Sequence, residues 1–579
     1  MLGWQAAGTG WTRIHRVALS ACLGLSLVHS GSAQGQPERP AATPTPAGQP
    51  TPPAALPKAA ELAPAAATPR AGASAPPTDA PAGSAGSAGA RLSLLQVVQS
   101  ALRQHSSIQL AAARVAERDA AIRAAEGPFD TLFLASAGHV REHTPVLESQ
   151  ALVTGHDSTI SDTTALGLGL DWAARWGTRV SPSIGLQRVH LRPGGSVTVP
   201  GLASDPFHQA QVDLSLTQPL LRGAGRTAAA SGIDAARLSR EAAQYAAAHT
   251  AQQQALTAIL AYWSWVGTSE FVQLLAATEA GARKLRDDTK ILVDSDARPR
   301  SDLNLLEGNV ANRSRQVIDA QADQLRALFA LYDAMGQSAE QAPSAAPAQG
   351  LPEPVALESG PVLVQNARNS RQDLKALRQE VGAVATLLQG AEANTDPALD
   401  LNVGVGYRGA VDRVGPDAFF TSLAENVPGI SGSVSLSLEL PVANTAREAE
   451  RDLRIAQREQ SRIALLDLER RLPIDVLSAV GDLELSAESL QAASRAVQQY
   501  ERALADEQDR LRAGVGTVID IVLTQDQLIS AQLARTNARL RYAVALTRLQ
   551  FEIGALPSDA SRAAASLARL VHSPSTGAN

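Results

Sequence analysis

Val212-Asp213-Leu214-Ser215-Leu216-Thr217-Gln218-Pro219 alternates apolar and polar side chains and stops at a proline. Val434-Ser435-Leu436-Ser437-Leu438-Glu439-Leu440-Pro441 does the same in the second half of the chain. A period of two is that of a strand with two different faces. Each of the prolines, Pro219 and Pro441, is a strand-to-helix junction leading into a very long helical pattern. In the first, Ala255, Ile259, Tyr262 and Val266 keep the spacing of four and three that marks one helix face. A helix over residues 228–293 would be about 100 Å long. It breaks at residues 295–299, because Pro299 cannot continue it, and a partner helix follows over 302–335. The second half repeats the scheme with a helix over 445–512, a break at Gly514-Val515-Gly516 and a helix over 518–553; Pro473 is expected to kink the longer one. Helices of this length cannot fold into a globule. They are expected to lie side by side as antiparallel coiled-coil hairpins, with the abundant alanine letting the backbones approach closely.

Upstream of each strand-and-hairpin block lies another helix, over 92–126 and over 362–392, in which Ser106-Ser107-Ile108 and Gln372-Asp373-Leu374 occupy matching places. Each is followed by a further strand-like run, 132–140 and 399–407. The chain thus reads as two internal repeats, 91–341 and 360–556, with a Pro/Ala-rich linker at 342–359. The first repeat holds an additional hairpin at about 165–190. Leu166, Leu168 and Leu170 alternate with glycine there, and Trp176-Gly177 marks the turn. Leucine on one face and small or polar residues on the other fit a barrel wall between lipid and lumen. Four strands by the repeat pattern cannot close a useful barrel, so several chains must contribute.

The rest of the composition agrees with this reading. Of 579 residues only 3% are aromatic and 19% charged, and alanine dominates long stretches, a helix-forming mixture. The formal net charge of -6 gives no support to a nucleic-acid partner. The N-terminus reads as an export signal over 1–33: Arg13, His15 and Arg16, then the apolar run 17–28, then Gly31-Ser32-Ala33 for cleavage. Leu19-Ser20-Ala21-Cys22 resembles a lipobox, although the chain's one cysteine sits inside the apolar run rather than after it. Residues 34–90 are a Pro/Ala-rich stretch too poor in large apolar side chains to order itself, and a polar tail, expected to be disordered, occupies 557–579. No segment is long and apolar enough to span a bilayer as a helix, so a membrane role must come through strands.

Three runs carry a family resemblance. Leu216-Thr217-Gln218-Pro219-Leu220-Leu221-Arg222-Gly223 resembles the strand-to-helix signature of TolC-like outer membrane efflux proteins, the outer membrane factors. Leu511-Arg512-Ala513-Gly514-Val515-Gly516-Thr517-Val518-Ile519-Asp520 resembles the family's helix-tip turn, and Leu92-Ser93-Leu94 its opening. The resemblance covers residues 92–556. It implies a mainly helical homotrimer of the outer membrane of a Gram-negative cell: helical hairpins forming an α-barrel across the periplasm, and a shared 12-stranded β-barrel with four strands per chain. It also implies a passive exit duct, serving a tripartite efflux pump or type I secretion. The hairpin tips would form its entrance and meet a periplasmic adaptor protein tied to an inner-membrane transporter. The tip residues Gly514, Val515, Gly516, Thr517, Asp296, Ala297 and Pro299 are the adaptor-contact candidates. Asp520 matches a family carboxylate that narrows the entrance, and Arg298, Arg300 and Asp302 join it as gate candidates. Two departures stand out: the first tip lacks the family's usual glycine, and Leu523 stands where a second acid is expected.

No chemistry competes with this reading. Ten histidines are scattered without metal-ligand spacing, Gly223-Ala224-Gly225 is too short for a phosphate loop, and no hydrolase or metalloprotease motif is present. No enzyme activity, cofactor or metal is expected. The competing function is a periplasmic coiled-coil tether with a β-rich head, which the strands disfavour.

Overall fold

The computed structural model describes residues 91–149, 151, 157–194, 206–296, 299–338, 345–355, 358–412, 417–424, 429–513 and 515–571. The expected signal peptide, Cys22 and the 34–90 stretch lie outside them. Among the described residues no helix is long and apolar enough to cross a membrane.

Four long helices dominate. The first long helix, Gly225–Asp294, turns back into the first return helix, Arg300–Met335. The second long helix, Thr445–Arg512, turns back into the second return helix, Val518–Glu552. Each return helix packs along its long partner, and the long helices also receive the shorter helices Ser106–Glu126 and Gln372–Ala393. The second long helix runs through Pro473 without ending there. Pro219 and Pro441 do not enter helices directly: five residues separate Pro219 from its helix and three separate Pro441 from its own.

The helices expected over 92–126 and 362–392 are each two helices. Leu94–Gln104 is followed by Ser106–Glu126, and Gly360–Ser370 by Gln372–Ala393. The breaks fall on His105 and Arg371, both extended at ψ 136° and 125°, immediately before the matching tripeptides of the sequence. Each break is met by the end of a return helix. Gly336 closes the first in the left-handed region at φ 72°, where a Cβ would stand 2.7 Å from the Cα of His105. Gly554 follows the second at φ 71°, where a Cβ would stand 3.1 Å from the backbone nitrogen of Arg371. Only glycine meets both demands, a positive φ and a contact with bare backbone.

The main core lies around these joints. Leu94, Val97, Val98, Tyr262, Trp263, Trp265, Leu331, Leu472, Val476 and Tyr542 are buried together. The polar tips of the large aromatics are satisfied: the Trp263 indole donates to Thr547 Oγ1 at 3.2 Å, and Tyr542 Oη accepts from the Val355 amide at 2.9 Å. Burial pushes the Tyr262 phenol up to about 12. The tail beyond Pro557, expected to be disordered, instead forms a helix at Ala563–Val571 whose Ala563 and Leu567 enter this core. A short parallel pair joins β1 (Arg91–Leu92) to β6 (Ala346–Pro347) and so ties the linker to the first described residues.

One six-stranded antiparallel sheet completes the structure: β2 (Leu132–Pro145), β3 (Ser158–Ala173), β4 (Arg179–Gly194), β5 (Phe207–Pro219), β7 (Ala398–Val411) and β8 (Gly429–Glu439), in that spatial order. This corrects the expectation of four strands per chain. The extra hairpin is β3 and β4, inserted between β2 and β5 over their full length: β3 pairs with β2 from Leu132↔Asp171 to Pro145↔Ser158. It is wall, not a lengthened loop.

At the second joint, Arg371 donates to Asp373 at 2.7 Å and to Glu552 at 2.6 Å, with its side chain only 9% exposed. Burial pushes both carboxyls up. For Asp373 the bonds and charge of Arg371 outweigh burial and hold it low, whereas Glu552 stays raised. Removing the guanidinium leaves two buried acids without their cation, which costs about 3–5 kcal/mol for a buried pair. Arg371→Met is expected to lower the thermal unfolding midpoint, and to do so more at pH 7 than near pH 4. Asp373, depressed in the fold, contributes stability above its unfolded pKa and loses it as pH falls through the folded one. An equal loss at both pH values would remove the charge explanation.

Candidate channel wall and entrance

Directly paired residues share a face of the sheet, so the register sorts the side chains. One face carries Phe133 on β2, Leu166, Leu168, Leu170 and Trp172 on β3, and Val180, Ile184 and Leu186 on β4. It continues with Val212, Leu214 and Leu216 on β5, Leu401, Val403, Val405 and Tyr407 on β7, and Ile430, Val434, Leu436 and Leu438 on β8. The opposite face carries Ser136, Gly167, Gly169, Ser181, Ser183, Asp213, Ser215, Asn402, Gly404, Gly406 and a row of serines at 431, 433, 435 and 437. Its glycines leave room for serines to lean across, as Ser136 does toward Gly167.

Much of the apolar face is bare. Leu168 is 51% exposed, Leu436 62% and Val434 75%, so among the described residues nothing covers a contiguous band of aliphatic side chains. Trp172 and Trp176 mark the helix-proximal rim of the band and meet edge to face at 6.3 Å. That is the pairing of amphipathic rings found where lipid meets water. Beneath them the β3–β4 turn is fastened to the helices. The Gly225 amide donates to the Trp176 carbonyl at 3.0 Å, and Arg175 pairs with Glu126 at 3.2 Å. At the far rim a short helix, Ala418–Ala424, lies on the apolar face, where Tyr407 donates to the Leu423 carbonyl at 2.9 Å and Phe420 stays exposed. No pattern in the sequence marked this helix, which is too short for a helical period to show.

The hairpin tips are at the other end of the long helices. At the first, Asp296 adopts φ 57°. The chain turns there in the left-handed region without the family's usual glycine, and aspartate is one of the few other residues to do so. Pro299 is the N-cap of the return helix, Arg300 is exposed, and Asp302 sits in its first turn, where a carboxylate favours the helix dipole. Ala297 and Arg298 lie outside the described residues, as does Gly514 at the second tip. There Val515 and Gly516 both donate to the Arg510 carbonyl, at 3.1 and 3.2 Å. Thr517 caps the return helix, and its partner is Asp520. The Asp520 carboxylate accepts from the Thr517 hydroxyl at 2.6 Å and from its amide at 3.2 Å, while the Asp520 amide donates back to the hydroxyl. Those bonds, with the charge of Arg510, hold the carboxyl below its ordinary range. The spacing Thr-x-x-Asp ahead of an apolar run announces this capping box, and the sequence reading had passed over it. Val515, Ile519 and Leu523 are exposed around it, at 72%, 55% and 56%.

An antiparallel sheet with one largely bare apolar face and one mostly small or polar face, set at the end of long helical hairpins, has the pattern expected of a membrane barrel strand set. Residues 363–555 match the family model of the outer membrane efflux protein, so over this second half the resemblance read from the sequence is matched. No curated protein sequence matches the chain. Among solved structures, the outer-membrane channel OprN is similar with a TM-score of 0.57 and 15% identity, over 80% of this chain and 89% of that one. The CmeC outer membrane channel of Campylobacter jejuni gives 0.54 and 13%, over 83% and 90%. The open-state MtrE outer membrane channel of Neisseria gonorrhoeae gives 0.53 and 16%, over 80% and 88%.

Asp520 has two candidate roles, cap and gate, and two substitutions part them. Asp520→Asn keeps an acceptor for the cap and removes the charge; Asp520→Ala removes both. A gate requires that both variants relieve block of single-channel current by multivalent cations. If Asp520→Asn blocks like the parent and only Asp520→Ala alters thermal stability, the residue is a cap alone. The cap's charge contribution is present above the unfolded pKa of Asp520 and disappears as pH falls through the lower folded value.

Proposed function

We propose that the chain is the outer-membrane exit duct of a tripartite efflux pump or type I secretion system, working as a homotrimer and passing its cargo without chemistry of its own. The observation that carries this reading is the uncovered apolar face of the six-stranded sheet. Its outer strands β2 and β8 end in unpaired backbone groups, which hydrocarbon does not tolerate, so the sheet must close with copies of itself. Three chains then form a barrel of 18 strands. The two halves of each chain, with their twin helix joints and twin hairpins, are two copies of one repeat.

The dimensions agree. Six strands about 4.8 Å apart and tilted about 40° occupy ~38 Å of circumference per chain. Four helices packed side by side at about 9 Å occupy ~36 Å. The barrel wall and the helical wall therefore close on rings of nearly equal girth, and the duct keeps its bore from one to the other. Serines, glycines and glutamines line most of the barrel, with Asp171, Asp213, Asp400 and Arg408 among them and Leu132 and Leu134 of β2 as apolar exceptions. At the opposite end Val515, Ile519 and Leu523, with Gly516, Thr517, Asp296 and Pro299, present the tips to a periplasmic adaptor protein and through it to an inner-membrane transporter, which supplies the energy.

Detergent-purified protein is expected to insert into planar bilayers and give discrete, uniform current steps. Deleting the β3–β4 hairpin reduces the barrel to 12 strands, and the steps should shrink with it. A protein that stays soluble without detergent and never conducts would overturn the duct in favour of a tether.

A further inference from the structure

Beyond the apolar band, at the rim farther from the helices, the same face of the sheet turns basic. On β4 Arg188 comes two residues after Leu186, and His190 and Arg192 follow on the same side. On β2 the sequence on that side is His139, Arg141, His143. On β5 it is His208, directly opposite Arg188. Among the described residues the acid on this part of the face is Asp162 of β3, which pairs with Arg192 and lies 3.6 Å from Arg141. Three arginines stand against one carboxylate, and the arginines stay accessible: the side chains of Arg141 and Arg192 are 59% and 41% exposed.

A second observation falls in the same patch. Among the described residues two buried side-chain nitrogens lack any hydrogen-bond partner, Nε of Arg192 and Nδ1 of His208, and both are here. His208 is 4% exposed beneath Phe419, whose ring meets it edge to face at 4.8 Å. Buried nitrogens without a partner are uncommon, and among the described residues nothing supplies one to either. The neighbouring helix Ala418–Ala424 adds Phe420, 73% exposed at the same rim.

We infer that this patch binds the phosphate groups of phosphorylated lipid headgroups in the leaflet that surrounds the barrel's outer rim. The inference rests on the barrel reading, which sets the apolar face against lipid. Charge at this height meets headgroups rather than acyl chains, and arginine suits phosphate because its planar fork donates two hydrogen bonds at once. The inserted β4 strand supplies two of the three arginines, so the patch is a property of the six-stranded wall.

The test uses the full-length purified protein in detergent and compares bis-phosphorylated lipid A with its dephosphorylated form. The phosphorylated lipid is expected to co-elute and to raise the thermal midpoint, with the dephosphorylated lipid giving neither effect. Arg188→Gln with Arg192→Gln should weaken binding at least tenfold, and Arg188→Gln alone, which leaves the Asp162 pair intact, should weaken it measurably. Equal binding of the two lipids, or unchanged binding by the double variant, overturns the inference. So does an equal shift from inorganic phosphate at the same concentration, which would mark an ion site. Planar-bilayer currents separate this failure from that of the duct: a protein that conducts but ignores the lipid phosphate loses the patch alone, whereas one that never conducts loses both.

Discussion

Two rows of unpaired backbone amides and carbonyls run along β2 and β8, and their satisfaction governs the architecture. In water such an edge can be solvated. In hydrocarbon each unmet group costs several kcal/mol, so the sheet must either be covered or be closed. The apolar band on one face excludes simple solvation, and among the described residues no second layer covers it. Closure through other copies is the arrangement that meets both demands.

The joints at His105 and Arg371 are each a single extended residue between two helices, locked by the left-handed glycine that ends a return helix. The large side chains Tyr262, Trp263, Trp265 and Tyr542 are buried around the joints, although the chain is poor in aromatics. Elsewhere buried alanines, which bring helices close, alternate with single aliphatic side chains such as Ile233, Leu306, Leu490 and Val497. Stability is therefore concentrated at the level of the joints. The hairpin tips are sparsely cored, with a small buried cluster of Leu275, Val317, Ala320 and Ile529 on the way to them. A closed or open entrance is drawn from that low-stability end, as moving parts generally are.

The sheet has a further division along its height. Amphipathic tryptophans stand at the helix-proximal rim, aliphatic side chains in the middle, and arginine with histidine at the far rim. This ordering follows the polarity a membrane presents from one interface to the other. The inserted β3–β4 hairpin carries all three zones in register with its neighbours, so it was fitted to the same surroundings as the strands that flank it.

Much of this was legible in the sequence because it is periodic. Alternation in Val212–Pro219 and Val434–Pro441 fixes a two-faced strand, spacing of three and four in Ala255, Ile259, Tyr262 and Val266 fixes a helix face, and Pro299 ends a helix by lacking an amide. Those are local rules, and the two-half plan with its long hairpins and bare apolar strands follows from them. What the sequence could not determine depends on partners far along the chain. Whether the hairpin at 165–190 was loop or wall turned on pairing with β2 and β5, which is decided by backbone register. His105 and Arg371 became breaks because glycines more than 180 residues away press on them. The tail at 563–571 became a helix because a core stood open to take Ala563 and Leu567. The Asp520 cap is different: its partner Thr517 is three residues away, and the spacing Thr-x-x-Asp was legible in the sequence. The basic rim was spread over three strands as scattered histidines and arginines, and only the register of the folded sheet placed them on one face.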